Sequence, residues 1–316
     1  MNKNFKEILL DVGYANILDN GRELRMKPIY RDSSSSTVLS VRKDTGHFID
    51  FSRSISGSFE YLVQLSLGLK TIEDARSWLG STGNNYEKAA KERPNNSTVK
   101  ILSKEPLESL VPNHSYWLDR GISKETIKIF KGGLMTEEGR MKNRYVFPVF
   151  DGRERLVGVT GRYTFPIPKD SKIPKWKHYP SKKEWKYPLF LNHKIISEKK
   201  EVVVVESVGD MLALWDAGIK NSVVTFGLDI SSAMLSTFLR FRLNKITLSF
   251  NNDQDSNSAG NKAAKKNERK LLRYFDSNQV QISFPTKNDF GEMSKKEIKE
   301  WEKATYEQKE KNTISL

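Results

Sequence analysis

Five carboxylates stand where a chain could do phosphate chemistry. Glu206 closes the apolar run VVVV, and Asp210 follows four residues later in ESVGD; Asp253 and Asp255 lie in FNNDQD after KITLS, and Asp289 follows ISFPTKN. Magnesium takes hard oxygen ligands, retains several waters and needs only one or two protein carboxylates beside substrate phosphates. Acids gathered from neighbouring strand ends therefore suit metal-assisted phosphoryl transfer, in which two ions can clamp the attacking and leaving oxygens. Taken singly, Asp210 also reads as a charge at a helix N-terminus and Asp255 as a solvated loop residue. Their common position after hydrophobic runs sets them apart.

That position follows from the elements. From Glu201 onward the chain alternates: strand EVVVVE, helix DMLALWDAG, strand SVVTFG, helix SSAMLSTFLRFRL, strand KITLSFNND, helix AGNKAAKKNERKLLRYF, strand QVQISFP. Such alternation predicts βα crossovers and a parallel sheet. Ligands of these sheets gather at the C-terminal strand ends. Upstream, PNHSYWLDRGISKETIKIF reads as helical and RYVFPVFDGRERLVGVTGRYTF as two strands around Asp151-Gly152-Arg153. Nearer the N-terminus, a helix from Phe5 to Tyr14 precedes a basic loop, ELRMKPIYRDSSSST. Two strand-like pieces, STVLSVRK and GHFIDFS, and two helices, FEYLVQLSLGL and TIEDARSWLG, complete a small unit. The polar run from Ser81 to Lys100 reads as a linker.

The 316 residues carry 53 Lys+Arg against 39 Asp+Glu, a net charge of +14 that points to a polyanionic partner. Ten lysines against three acids between Lys169 and Lys200 give that segment +7, half the total, and Trp176, His178, Tyr179, Trp185 and Tyr187 are interleaved with them. Phosphate contacts beside stacking surfaces suit a single-stranded nucleic acid. The absence of cysteine excludes disulfides and thiolate zinc sites, and His47, His114, His178 and His193 lack ligand spacing. With no secretory signal and no apolar run of spanning length, a soluble, cytoplasmic protein without a membrane partner is expected.

The ordered set ESVGDMLALWDAG, SVVTFG, FNNDQDSNSAGNKAA and KNDFGEM resembles a Toprim domain, with its E-G-x-x-D motif, D-x-D motif and later acid. SYWLDRGISKETIKIFKGGL, NRYVFPVFDGRERLVGVTGR and PKWKHYPSKKEWKYPLF resemble, in order, the segments before Toprim in bacterial DnaG-type primases and their phage relatives. The resemblance covers about residues 105–293. It implies an α/β fold: a Toprim-type parallel sheet flanked by helices, preceded by a basic α+β subdomain and a small β-rich N-terminal domain. The expected organisation is 1–80 for a zinc-free, zinc-ribbon-like template-binding domain, 81–104 for the linker, 105–197 for the basic subdomain, 198–293 for Toprim and 294–316 for a charged helical tail, read as a solvated cap.

The implied activity is that of a DNA primase, making short RNA primers on single-stranded DNA from ribonucleoside triphosphates. Glu206 and Asp253 would be catalytic; Glu206, Asp210, Asp253, Asp255 and Asp289 would hold Mg2+ or Mn2+; Arg144, Arg162, Lys175 and Lys186 would contact nucleotide or template. In the zinc-ribbon-like unit Tyr30, Arg31, Arg42 and Arg53 would touch template without zinc. Ser207 stands for the motif glycine, and Asn251 for the first aspartate of D-x-D. Either Asp255 supplies the missing charge, or metal binding is weaker, or the site has decayed. No GxxxxGK[ST] occurs in the sequence, so a replicative helicase would be a separate partner. The rival functions are a Toprim nuclease and a catalytically decayed, single-stranded-DNA-binding replication accessory.

Overall fold

The computed structural model describes residues 3–83, 100–168, 171–253 and 258–314. Most of the expected linker, and Asp255, lie outside the described residues. Contacts group the chain into two units: Met1–Ser97 with Phe238–Asn244 and Glu268–Gln281, and Thr98–Thr237 with Lys245–Asn267 and Ile282–Leu316.

In the first unit, α1 (Phe5–Val12) opens on a reciprocal cap, Asn4 accepting from the Glu7 amide and Glu7 from the Asn4 amide, and closes on Gly13 at a left-handed φ of 109°. An antiparallel sheet follows in the order β1 (Leu18–Asp19), β2 (Glu23–Met26), β3 (Leu39–Arg42), β4 (Phe48–Asp50), β5 (Ile55–Gly57). Helices α2 (Phe59–Leu67) and α3 (Ile72–Ser81) come next. The apolar face of α1, Phe5, Ile8, Leu9 and Val12, packs with Leu24, Leu39, Val41, Phe48 and Phe59. The supposed basic loop begins as a strand instead: β2 buries Leu24, Arg25 and Met26, with the Arg25 guanidinium between the rings of Phe51 and Tyr274, 4.6 and 4.7 Å from their centroids. Burying an arginine between aromatic faces compensates its desolvation, a tertiary effect invisible to hydrophobic pattern.

A charge network ties this unit together. Arg31 makes two bonds of 2.8 Å to the fully buried Asp50 and one of 3.1 Å to Asp276, and the Tyr30 hydroxyl donates to Asp50 at 2.8 Å. Asp276 also accepts from the Ser33 hydroxyl at 2.5 Å, the Ser34 amide at 3.2 Å and the Ser52 hydroxyl. Tyr30 and Arg31, expected to face a template, are thus turned inward, and Arg42 pairs with Asp44.

The second unit begins with α4 (Ser115–Leu118) and α5 (Lys124–Ile129), then an antiparallel sheet in the order β6 (Gly133–Met135), β7 (Arg144–Phe150), β8 (Leu156–Tyr163), β9 (Trp176–Tyr179). Every residue of β7 is buried. After α6 (Leu189–Lys199) comes the parallel sheet: β10 (Glu201–Val205), with α7 (Val208–Asp216) behind it, lies between β11 (Ser222–Val224) and β12 (Lys245–Leu248) and is parallel to both. α8 (Ser232–Phe241) joins β11 to β12, and α9 (Ala259–Leu271) leads to the outer strand β13 (Val280–Ile282), giving the order β11-β10-β12-β13; the last residues of α8 and α9, and Val280 and Gln281 of β13, are grouped with the first unit. The four valines of β10 are buried, as β-branched side chains in a sheet covered on both faces should be.

The final helix, α10 (Lys295–Ile314), departs from the expected solvated cap. Ile298, Trp301 and Thr305 are buried, Trp301 meets Phe290 edge-on at 4.8 Å, and Lys295 pairs with Asp216 at 2.7 Å. Three inward residues at helical spacing are too few to stand out among so many lysines and glutamates. No helix among the described residues is long and apolar enough to cross a membrane.

Candidate active site

Glu206 is the first residue beyond β10, and its Oε1 accepts from the Asn251 amide at 3.1 Å beyond the end of β12. Next to it Ser207 caps α7, its hydroxyl facing the Asp210 amide and donating to Asp210 Oδ2 at 2.7 Å. Asp210 is therefore a capping group, as its position in the sequence allowed, but it is also buried, and its Oδ1 accepts from the Phe290 amide at 3.1 Å. With both oxygens engaged, it braces the loop after β13 against the start of α7. Asp289 in that loop caps the short turn Phe290–Glu292, accepting from the Glu292 amide at 3.1 Å.

Asp253 is held by the start of α9: both its oxygens lie 3.1 Å from the Gly260 amide, and its own amide donates to Asn261 Oδ1 at 3.1 Å. Gly260 permits this approach, because a Cβ there would lie 2.3 Å from the Asn251 carbonyl oxygen and 2.9 Å from Glu206 Oε1. The Asn251 amide thus orients Glu206 whatever its side chain does.

These acids feel one another. Burial, then the charge of Asp289 and that of Glu206, pushes the Asp210 carboxyl up to about 7. Burial, opposed by the Asn251 amide and helped by the charges of Asp253 and Asp289, raises Glu206 above the ordinary carboxylate range. Mutual repulsion among carboxylates is relieved by a cation. No three metal-ligating side chains among the described residues converge as a ready-made cage.

A cavity of about 250 Å³ opens beside Asp210 and Asp289, and its other wall is cationic and aromatic, with Tyr116, Trp117, Arg120, Arg162, Lys175 and Trp176. The structure thus brings Arg162 and Lys175 to the cavity beside Asp210 and Asp289, which neither Glu206 nor Asp253 lines. Lys186 is half-buried and does not line this cavity. Arg144 does not line it either: buried, it donates to the carbonyls of Gly161 at 3.2 Å, Pro174 at 2.9 Å and Lys175 at 3.3 Å, anchoring the segment that carries Lys175. Tyr116, Arg120, Gly260 and Asn261 were not singled out from sequence. Tyr116 and Arg120 carry a readable signal, an aromatic and a cation at i and i+4; the Arg120 guanidinium lies 4.0 Å over the Tyr116 ring.

Residues 203–294 match the Toprim-like family. The chain is 31% identical over 183 residues to a DNA primase of Staphylococcus aureus (strain COL), covering 54% of this chain and 30% of that protein. It thus spans less than a third of the length of that relative. Among solved structures, the zinc-binding and RNA polymerase domains of the Aquifex aeolicus primase superpose with a TM-score of 0.51 at 20% identity over 95% of this chain and 82% of that one. A DnaG primase catalytic domain bound to single-stranded DNA gives 0.52 at 23% identity over 62% of this chain and 70% of that one. The chain is therefore built as DnaG-type primases are, around a Toprim-like domain at residues 203–294.

Proposed function

We propose that the protein is a DNA primase that joins ribonucleoside triphosphates into short RNA on a single-stranded DNA template, in the cytoplasm of a bacterial or infected host cell. The observation that carries this reading is the cavity that Arg162 and Lys175 line together with Asp210 and Asp289, the last of which, with Asp253, acts by its charge on Glu206. An all-oxygen donor set, in which the charges of Asp253 and Asp289 help to raise Glu206, suits Mg2+ or Mn2+, which need few protein ligands. Glu206, Asp253 and Asp289 would hold the ion, with Asp210 as their buried brace. When bound, the ion neutralises phosphate charge and draws electron density from the phosphorus under attack.

The chain's own residues then divide the remaining work. Arg162 and Lys175 bind the triphosphate and orient it in line with the attacking 3′-hydroxyl. A new bond forms from that oxygen to the α-phosphorus as the hydroxyl's proton passes to water, the bond to the β-phosphate bridge breaks, and pyrophosphate carries away the electron pair. Trp117 and Trp176 exclude water from one side of the cavity. Template binding draws on the basic segment 169–200. The DnaG domain solved with single-stranded DNA supports such a partner, and a separate helicase would deliver the template.

Incubating the purified chain with single-stranded DNA, ribonucleotides and magnesium tests this. Short RNA is the expected product. Cleaved DNA without RNA would instead support a Toprim nuclease, and binding with neither product a decayed accessory, the reading that Asn251 favours.

A further inference from the structure

The geometry points to Tyr116 as a positioning residue that aims Arg162 at the phosphates of the bound nucleotide. This rests on the nucleotide-joining reading above and goes beyond it, to how one arginine is held. Arg162 on β8 stands directly across from Trp176 on β9 in the sheet register, which puts the two side chains on one face. Its Nε donates to the Tyr116 hydroxyl at 3.0 Å. Its guanidinium carbon lies 5.8 Å from the Tyr116 ring centroid and 5.6 Å from that of Trp176, so the group is flanked by two aromatic surfaces. Tyr116 is itself fixed: Trp117 meets it edge-on at 5.0 Å and Arg120 covers its ring.

The hydrogen bond consumes the one donor of the guanidinium that cannot take part in an end-on fork. The two terminal nitrogens, which have no protein partner among the described residues, are left as a parallel pair at the cavity lined by Asp210 and Asp289. A planar fork matches two phosphate oxygens only when its plane is fixed; lysine has no plane to fix. The hydroxyl of Tyr116 fixes it.

Titration calorimetry on the full chain with magnesium, using ATP and inorganic tripolyphosphate as probes, tests this in four proteins: wild type, Tyr116→Phe, Arg162→Lys and the double variant. Phenylalanine keeps the ring and its packing, so only the hydroxyl is removed. Tyr116→Phe should weaken both probes by about fivefold to tenfold, the worth of about one ordinary net hydrogen bond. In the Arg162→Lys background the same change should cost nothing more, because the fork it aims is gone. In primer synthesis it should raise KM with kcat little changed. Equal losses in both backgrounds, or no loss, would overturn the role of Tyr116 while leaving the nucleotide site standing. A loss confined to ATP would mean that Tyr116 contacts a base or ribose instead. Wild-type protein that binds neither probe would overturn the nucleotide-joining reading itself, and this inference with it.

Discussion

Glu206 and Gly260 depend on each other at the scale of single residues. The carboxylate can sit beside the Asn251 amide only because nothing projects from position 260. Gly260→Ala should therefore cost about 1–3 kcal/mol in urea unfolding through overpacking and abolish nucleotide joining by displacing Glu206 and Asp253; a variant with wild-type activity would show that the helix start can shift without consequence. The acids were legible in sequence because each follows a hydrophobic run. Gly260 was not, since its constraint is a tertiary approach to a carbonyl and a carboxylate from two other segments. Arg144 illustrates the converse: the family resemblance implied a nucleotide or template contact, and only the structure shows its guanidinium occupied by three carbonyls.

Among the elements, the parallel sheet was readable from its strand and helix alternation, whereas β2 and the packed face of α10 were not. A buried arginine disguised the first and a lysine-rich surface the second. The ion network in the first unit gives a prediction of its own. Asp50→Asn leaves Arg31 short of its main partner in a buried setting and should cost about 3–5 kcal/mol in urea unfolding, whereas chelators should leave the melting temperature unchanged. A chelator-induced fall would point to a bound structural metal.

In the antiparallel sheet, His178 lies 3.0 Å from the Thr160 hydroxyl and edge-on to Trp185 and Phe226. Burial, with the charges of Lys182 and Arg144, holds its pKa down to about 4. An unfolded histidine takes up its proton near about 6.5, so the unfolded state binds more protons between those values. Stability from this group is complete above pH about 6.5 and falls as pH drops toward 4. Thermal melts across that window should fall less steeply in His178→Gln, and parallel curves would remove His178 as a contributor.

Across the whole molecule, the proposed function assigns charge and site to different steps. In that account the surplus of +14 sets template affinity, so neutralising Lys175 and Lys186 together should reduce the salt slope of single-strand binding by about 0.7 for each phosphate no longer neutralised. An unchanged slope would place both lysines away from the template. The proposed function gives joining to the cluster of acids. Glu206→Gln removes a charge from that cluster and almost no volume, which makes it the most direct test of the account: RNA synthesis and single-stranded DNA affinity measured side by side, at one magnesium concentration, for wild type and variant. The account predicts that synthesis falls by at least about a hundredfold, the scale on which removing one electrostatic stabiliser of a transition state slows a reaction, while DNA affinity stays within about twofold, a change of less than about 0.5 kcal/mol. Synthesis near the wild-type rate would contradict it.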